Sequence, residues 1–210
     1  MNMNMNLQTN ARAEAPTKPS IGNMISVSIR ISIVFIILCG LIYPLVCTGI
    51  AQLVMPAQAN GSLIKDAQGT VIGSSVIGQN FKDQKYFQGR ISSIDYNAAS
   101  SGSNNYAPSN PDMLARTKEA AAAWVKNNPD VPLREVPIQL LTNSASGLDP
   151  QISPKSAEVQ IPRISKLTGV STEILQNLVE KHTEGRDLGI FGEPRVNVLK
   201  LNIDLQPLIK

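Results

Sequence analysis

Cysteine is almost absent from this sequence and wholly absent after residue 47. The two cysteines, Cys39 and Cys47, fall inside one apolar run. Eight helical residues would hold them about 12 Å apart, too far for a disulfide. A bridged scaffold and a thiolate metal site in the remaining chain are therefore both excluded. Histidine is nearly as scarce, with His182 the single one. No second histidine exists to complete a zinc site, and no cysteine lies beyond the run to form a thiol dyad. Aromatics are few, with one Trp, four Tyr and four Phe in 210 residues. Charge of either sign is not in excess, at 19 basic against 16 acidic residues. Nothing builds the basic stripe that nucleic acid requires. No G-x-S-x-G elbow, P-loop or dinucleotide fingerprint occurs.

What the sequence does have is a long stretch without charge, from Ile31 through Ile64. Its apolar part, Ile31–Met55, would reach about 37 Å as a helix and so spans a hydrocarbon core of about 30 Å with some tilt. Arg12, Lys18 and Arg30 oppose only Glu14 on the N-terminal side, a net of two positive charges. That flank predicts a cytoplasmic N-terminus and a C-terminal domain outside the cytoplasm. Pro44, in mid-span, removes a helical donor to the Gly40 carbonyl and predicts a kink. Ser32, Cys39, Tyr43 and Cys47 share a narrow face that suits packing on another helix. Ala57-Gln58-Ala59 has the form of a signal-peptidase site, but the apolar run is much longer than a signal core of 7–15 residues, so a retained anchor is expected. The organisation read from these features is a disordered cytoplasmic tail at 1–24, a transmembrane helix at 25–55 and an extracytoplasmic domain at 56–210.

The exported part reads as α+β. Leu63-Ile64 and Val71-Ile72 flank Asp66-Ala67-Gln68-Gly69, a hairpin signal. Phe81, Tyr86 and Phe87 are expected in the core. Residues 92–111 form a long loop rich in Ser, Asn and Gly, a kind that is usually functional or disordered. Asn110-Pro111-Asp112 opens a helix with Leu114, Ala121, Trp124 and Val125 on its buried face, and Asn127-Asn128-Pro129 ends it. Val136–Leu141 is expected as a strand. Ser153-Pro154 caps a second helix, interrupted at Pro162 and stopped by Gly169. Ser171 caps a third, with Ile174, Leu175, Leu178 and Val179 on one face and Gly185 as its left-handed cap. Val196–Leu205 reads as a strand whose alternation changes phase at Val198-Leu199.

For chemistry the sequence offers little. His182 suits a helix C-terminus. Asp149, Glu184 and Glu193 are carboxylates that nothing positions together, and they read as caps and ion-pair partners. Glu193 and Arg195 flank a Gly192-Pro194 turn, which leaves pairing with each other, capping and docking all open. Ile164–His182 has the form of a helix-turn-helix, but an exported segment meets no DNA.

Several strings together resemble the C subunit of the Kdp potassium-transporting P-type ATPase. In order they are Tyr43-Pro44 and Gly49; Tyr86-Phe87-Gln88-Gly89-Arg90; Tyr96-Asn97; Ser101-Gly102-Ser103-Asn104; Pro108-Ser109-Asn110-Pro111; Ser144 through Pro154 with Gln160, Pro162 and Arg163; Thr183-Glu184-Gly185-Arg186; and Gly192 through Val198 with Leu201-Asn202. Ile91 and Gln151 depart from the pattern, standing where a proline and a histidine are common.

The resemblance implies a non-catalytic accessory subunit of a potassium import complex in the bacterial inner membrane. The implied partners are a channel-like potassium-binding subunit and an ATP-hydrolysing P-type subunit, with no nucleic acid. It implies a role in assembly and a chaperone-like effect on ATP affinity, with ATP met only through the ATPase subunit and no cofactor or metal held tightly. Gln160 is the nucleotide contact the resemblance points to, although an exported domain cannot touch cytoplasmic ATP. The expected partner-facing residues are Ser32, Cys39, Tyr43, Cys47, Ser103, Asn104, Asp149, Glu193 and Arg195. The rival reading is an anchored extracytoplasmic enzyme or solute-binding domain, which requires convergent ionisable groups in a pocket.

Overall fold

The structure, a computed structural model, describes residues 20–209; the expected tail therefore lies mostly outside the described residues. Contacts divide the chain into two units, with the division at Pro56/Ala57.

In the first unit one helical rod runs for 34 residues, Ile21–Val54, and its most apolar 18-residue window has a mean hydropathy of 2.5. At 1.5 Å per residue it is about 51 Å long, enough to cross a bilayer and extend beyond it. It comprises α1 (Ile21–Phe35), a π-helical stretch (Ile36–Ile42) and α2 (Tyr43–Val54). The irregularity expected from Pro44 takes the form of that π stretch: the Tyr43 N–H bonds to the Leu38 carbonyl, five residues back. The wider turn absorbs the missing proline donor without breaking the rod. Cys39 lies in it, which shifts the register between Ser32 and the Tyr43–Cys47 pair. Tyr43 and Cys47 interact side by side, one α-turn apart. Neither cysteine forms a disulfide.

The second unit is α+β. A four-residue helix, α3 (Pro56–Ala59), precedes a hairpin of β1 (Leu63–Lys65) and β2 (Val71–Ser74). The turn is built as its residues predict. One Asp66 carboxylate oxygen accepts from Gln68 N and Thr70 N, and Gly69 sits at φ +84°. Then come α4 (Pro111–Asn127), β3 (Gln151–Ile152), α5 (Pro154–Glu158), α6 (Ile161–Thr168), α7 (Thr172–Lys181), β4 (Thr183–Glu184), β5 (Arg195–Asn197) and α8 (Val198–Leu205). Strands β3, β5 and β4 form an antiparallel sheet with β5 in the centre.

The expected helix starts hold. Asn110 accepts from Asp112 N and Met113 N, Ser153 from Ser156 N and Ser171 from Ile174 N. Gly169 closes α6 at φ +73°. Phe87, Ile164, Leu175, Val196, Leu201 and Leu205 are fully buried at the centre of the core, and Phe81 and Tyr86 pack against it. Each such aliphatic or aromatic side chain contributes about 1.5–3 kcal/mol of burial.

Five local expectations are corrected. Val136–Leu141 is not a strand. Pro132 and Pro137 each start a short 3-10 turn, Leu133–Glu135 and Ile138–Leu140, and a proline at each start supplies the fixed φ such turns use. Val196–Leu205 is a strand only to Asn197. The Asn197 side chain then accepts from Lys200 N and opens α8, so the phase change marks a switch from period two to period 3.6. On α4 only Trp124 is buried; Leu114 and Val125 are about half exposed, while Arg116, Thr117 and Ala121 are half-buried. Ile174 is likewise 47 % exposed, and the buried face of α7 is Leu175, Leu178 and Val179. Finally, α7 ends at His182, and Thr183-Glu184 pairs with β5. Gly185 follows that strand, outside the left-handed region.

Candidate functional site

The segment Gln84–Arg90 has no regular secondary structure, yet Phe87 is completely buried within it. Its backbone polar groups must find partners, because a buried orphan costs about 1–3 kcal/mol. Side chains from two helices supply them. From α8, Asn202 accepts from Phe87 N at 2.9 Å and donates to Phe87 O at 2.8 Å. Gln160, at the start of α6, accepts from Gln88 N at 2.8 Å and donates to Gln88 O and Ser156 O, both at 3.0 Å. Arg163, in α6, donates to Gln84 O and Tyr86 O. Two amides and a guanidinium thus do for this segment what a neighbouring strand would do.

The clamp is closed on itself. Arg163 Nη2 donates to Gln160 Oε1 at 2.8 Å, and Arg163 Nε donates to Asn128 Oδ1 at 2.9 Å, tying in the end of α4. Arg163 is 4 % exposed, with no carboxylate in contact. Burial lowers its pKa to about 10, opposed by Asp83, so it stays cationic at neutral pH. Gln160 is 0 % exposed, and these contacts occupy both lone pairs of its oxygen and both hydrogens of its amide. Beside it lies a cavity of about 160 Å³ bordered by Trp124, Asn127, Asn128 and Gly89. Ligand pockets run from roughly 300 Å³ upward.

The long loop 92–111 is ordered by a second polar cluster. Ser92 Oγ donates to Gly147 O at 2.7 Å and accepts from Tyr96 N. Gly102 N donates to Ser146 O, and Ser144 N to Ile91 O. Asn143 donates to Ser103 Oγ at 3.0 Å, and Arg116 lies 5.4 Å over the Tyr106 ring. Arg90 bridges the loops by pairing with Asp149 at 3.1 Å and donating to Asn143 O. The Tyr96 hydroxyl donates to Arg90 O. Burial pushes the Tyr96 pKa up to about 12, with Asp149 adding to the shift and Arg90 opposing it. Gly147 sits at φ +72°, and a Cβ there would stand 2.5 Å from Ile94 Cγ1. The strings 92–106 and 142–149 are therefore one unit in space.

The expected partner-facing residues of the domain come together only in part. Ser103 is half-buried within the loop unit, whereas Asn104 is exposed and bonds the Tyr106 hydroxyl. Asp149 is committed to Arg90 and caps Gln151 N. Glu193 and Arg195 do not pair with each other. Glu193 grips Arg186 with both oxygens, and Arg195 binds Glu184 at 3.3 Å and Asp187 at 3.1 Å. Asp149, Glu193 and Arg195 border one open depression with Gln139, Gln151 and Ser153. His182, at the end of α7, meets Asp204 at 2.9 Å. Lys181 and then His182 hold the Asp204 carboxyl below the usual carboxylate range. Among the described residues no three His, Cys, Asp or Glu side chains are grouped to hold a metal. A further depression of about 670 Å³ carries Asp130, Glu135, Glu158, Glu180 and Lys155, and no histidine or cysteine borders it.

The clamp roles of Arg163, Asn202 and Asn128 were not visible in the linear sequence, because their contacts span 35 to 115 residues. One signal was available: Arg163 stands between Ile161 and Ile164, and Asn202 beside Leu201, each a polar residue on an apolar helix face.

Compared with known proteins, residues 25–207 match the family described as KdpC, the K+-transporting ATPase c chain. Curated relatives are similar over nearly their whole length. A potassium-transporting ATPase KdpC subunit of Bacillus thuringiensis subsp. konkukian is 59 % identical over 188 residues, covering 90 % of this chain and 97 % of that protein. KdpC subunits of Bacillus cereus and Bacillus anthracis are each 58 % identical with the same coverage.

Proposed function

The chain belongs to the KdpC family of potassium-transporting ATPase subunits, and on that premise we propose that it is a non-catalytic accessory subunit. In this reading it stabilises the assembly of a channel-like potassium-binding subunit with a P-type ATP-hydrolysing subunit in the bacterial inner membrane. The apolar rod crosses the membrane once, N-terminus inside, and the α+β domain stands outside the cytoplasm. The positive flank before Ile31 supports that orientation. ATP is then out of the domain's reach, and any effect on ATP affinity passes through the partner subunits.

The observation that carries this reading is the closed polar clamp. The side chain the family resemblance points to for nucleotide, Gln160, is fully buried and already engaged with Gln88, Ser156 and Arg163. We assign it a positioning role: it holds the Gln84–Arg90 segment in place, and with it the shape that partners meet. Three variants test the assignment: Gln160→Ala, Asp149→Asn and His182→Ala. Each is expected to lower the yield of assembled complex while leaving potassium-stimulated ATP turnover per assembled complex, and its KM for ATP, within about threefold of wild type. A well-assembled variant whose turnover falls about a thousandfold, the scale of a lost catalytic group, contradicts the accessory reading.

A further inference from the structure

The segment between β4 and β5 is turned inside out. Leu188, Ile190 and Phe191 are 88 %, 73 % and 64 % exposed, three large apolar side chains within four residues. The backbone that presents them is tightly closed. Asp187 N donates to Phe191 O at 2.8 Å, Phe191 N donates back to Asp187 O at 2.9 Å, and Gly189 N donates to Arg186 O. Leu188 holds φ +54°, a left-handed conformation costly for a branched aliphatic residue, and Gly189 and Gly192 lie at +75° and +76°. Such strain persists only when surrounding structure enforces it, and it clusters at functional sites. Ion pairs form the enforcing base: Arg186 with Glu193, Arg195 with Glu184 and Asp187, and Lys200 with Glu184.

We infer that Leu188, Ile190 and Phe191 form a preformed apolar finger that inserts into an apolar cleft on the extracytoplasmic surface of a partner membrane subunit. The inference rests on the accessory-subunit reading and adds the surface that does the docking. The charge pattern selects the occupant. Arg186, Arg195 and Lys200 are each committed to a carboxylate, so the base of the finger offers no free cation for lipid phosphates. The tip carries no Trp or Tyr, the side chains that favour a bilayer interface. A neutralised base around an apolar tip matches the centre-and-rim pattern of a protein interface. Because the loop pairs with itself, docking costs it little ordering, and the exposed leucine and phenylalanine can act as anchors.

The test uses the whole membrane complex, isolated through its other subunits. The double variant Leu188→Asp, Phe191→Asp is expected to reduce copurification of this chain at least tenfold. It should leave the chain in the membrane fraction with an unchanged Trp124 fluorescence melt. Ile174→Asp, an exposed apolar position on α7, should copurify as wild type. Undiminished copurification of the double variant overturns the finger while leaving the accessory reading intact. Failure of the wild-type chain itself to copurify overturns both. Should the double variant melt early, crosslinking decides. Leu188→Cys, in a Cys39→Ser, Cys47→Ser background and carrying a benzophenone maleimide, should photocrosslink in native membranes to one larger subunit. Adducts only with lipid, or only with a second copy of this chain, overturn the inference.

Discussion

Two irregular segments of this domain solve the same backbone problem in opposite ways. Gln84–Arg90 runs through the interior, and its N–H and C=O groups are taken up by Asn202, Gln160 and Arg163. Arg186–Glu193 runs outside, bonds to itself across Asp187 and Phe191, and turns its large side chains to solvent. The first spends buried polar side chains on shape and leaves them no second task. The second needs nothing from the core and so keeps its side chains free for a partner. In this domain, buried polarity therefore points to architecture, and exposed apolarity to recognition.

The comparison predicts where substitutions hurt most. Arg163→Ala should be the worst single change in the domain. It strands the Gln84 and Tyr86 carbonyls and the Asn128 amide oxygen in the interior, a loss of about 3–4 kcal/mol. Trp124, the only tryptophan, is buried beside Asn128 and reports the unfolding midpoint by fluorescence. A midpoint within error of wild type would mean that the clamp is not what holds the segment.

Next in size is Gly147→Ala, which combines positive φ with a contact too close to Ile94 and should cost about 2 kcal/mol in the same melt. A smaller effect is read as a pH limb. The Tyr96 pKa is raised to about 12 by burial, so the folded state holds its proton longer than the unfolded one. The stability this contributes is intact below the ordinary tyrosine range near 10 and is lost as pH rises toward 12. Tyr96→Phe should flatten that alkaline limb, and an unchanged limb would assign it to other groups. Smallest of all is Gly185→Val. Gly185 is not left-handed, and a Cβ there meets nothing within 4 Å. The melt should move by less than about 0.5 kcal/mol, and a larger drop would restore the left-handed cap expected from sequence.

That last correction shows what kind of information local sequence carries. The caps at Asn110, Ser153 and Ser171, the Gly169 stop and the Asp66–Gly69 turn were legible because each is decided within about five residues. Gly185 does not cap the helix because Thr183 and Glu184 leave it to pair with β5, a choice made by residues 195 and 196. Val136–Leu141 has the composition of a strand, but no strand pairs with it as one, and its prolines settle it as 3-10 turns. The candidate site was legible as a set of ordered strings and illegible as geometry. Gln160 stood out, but its confinement follows from Gln88, 72 residues away. The pairing of Glu193 and Arg195 with Arg186, Asp187 and Glu184, and not with each other, likewise depends on how the loop closes.

The side of the membrane on which the domain stands decides how it acts, because an external domain must act through partners and a cytoplasmic one could meet ATP itself. Asn104, exposed at the surface of the ordered loop, is the position to ask. An Asn104→Cys variant with Cys39→Ser and Cys47→Ser should react with an impermeant maleimide in intact cells, after permeabilisation of any outer membrane. Labelling that appears only once the inner membrane is broken would place the domain inside and contradict the account.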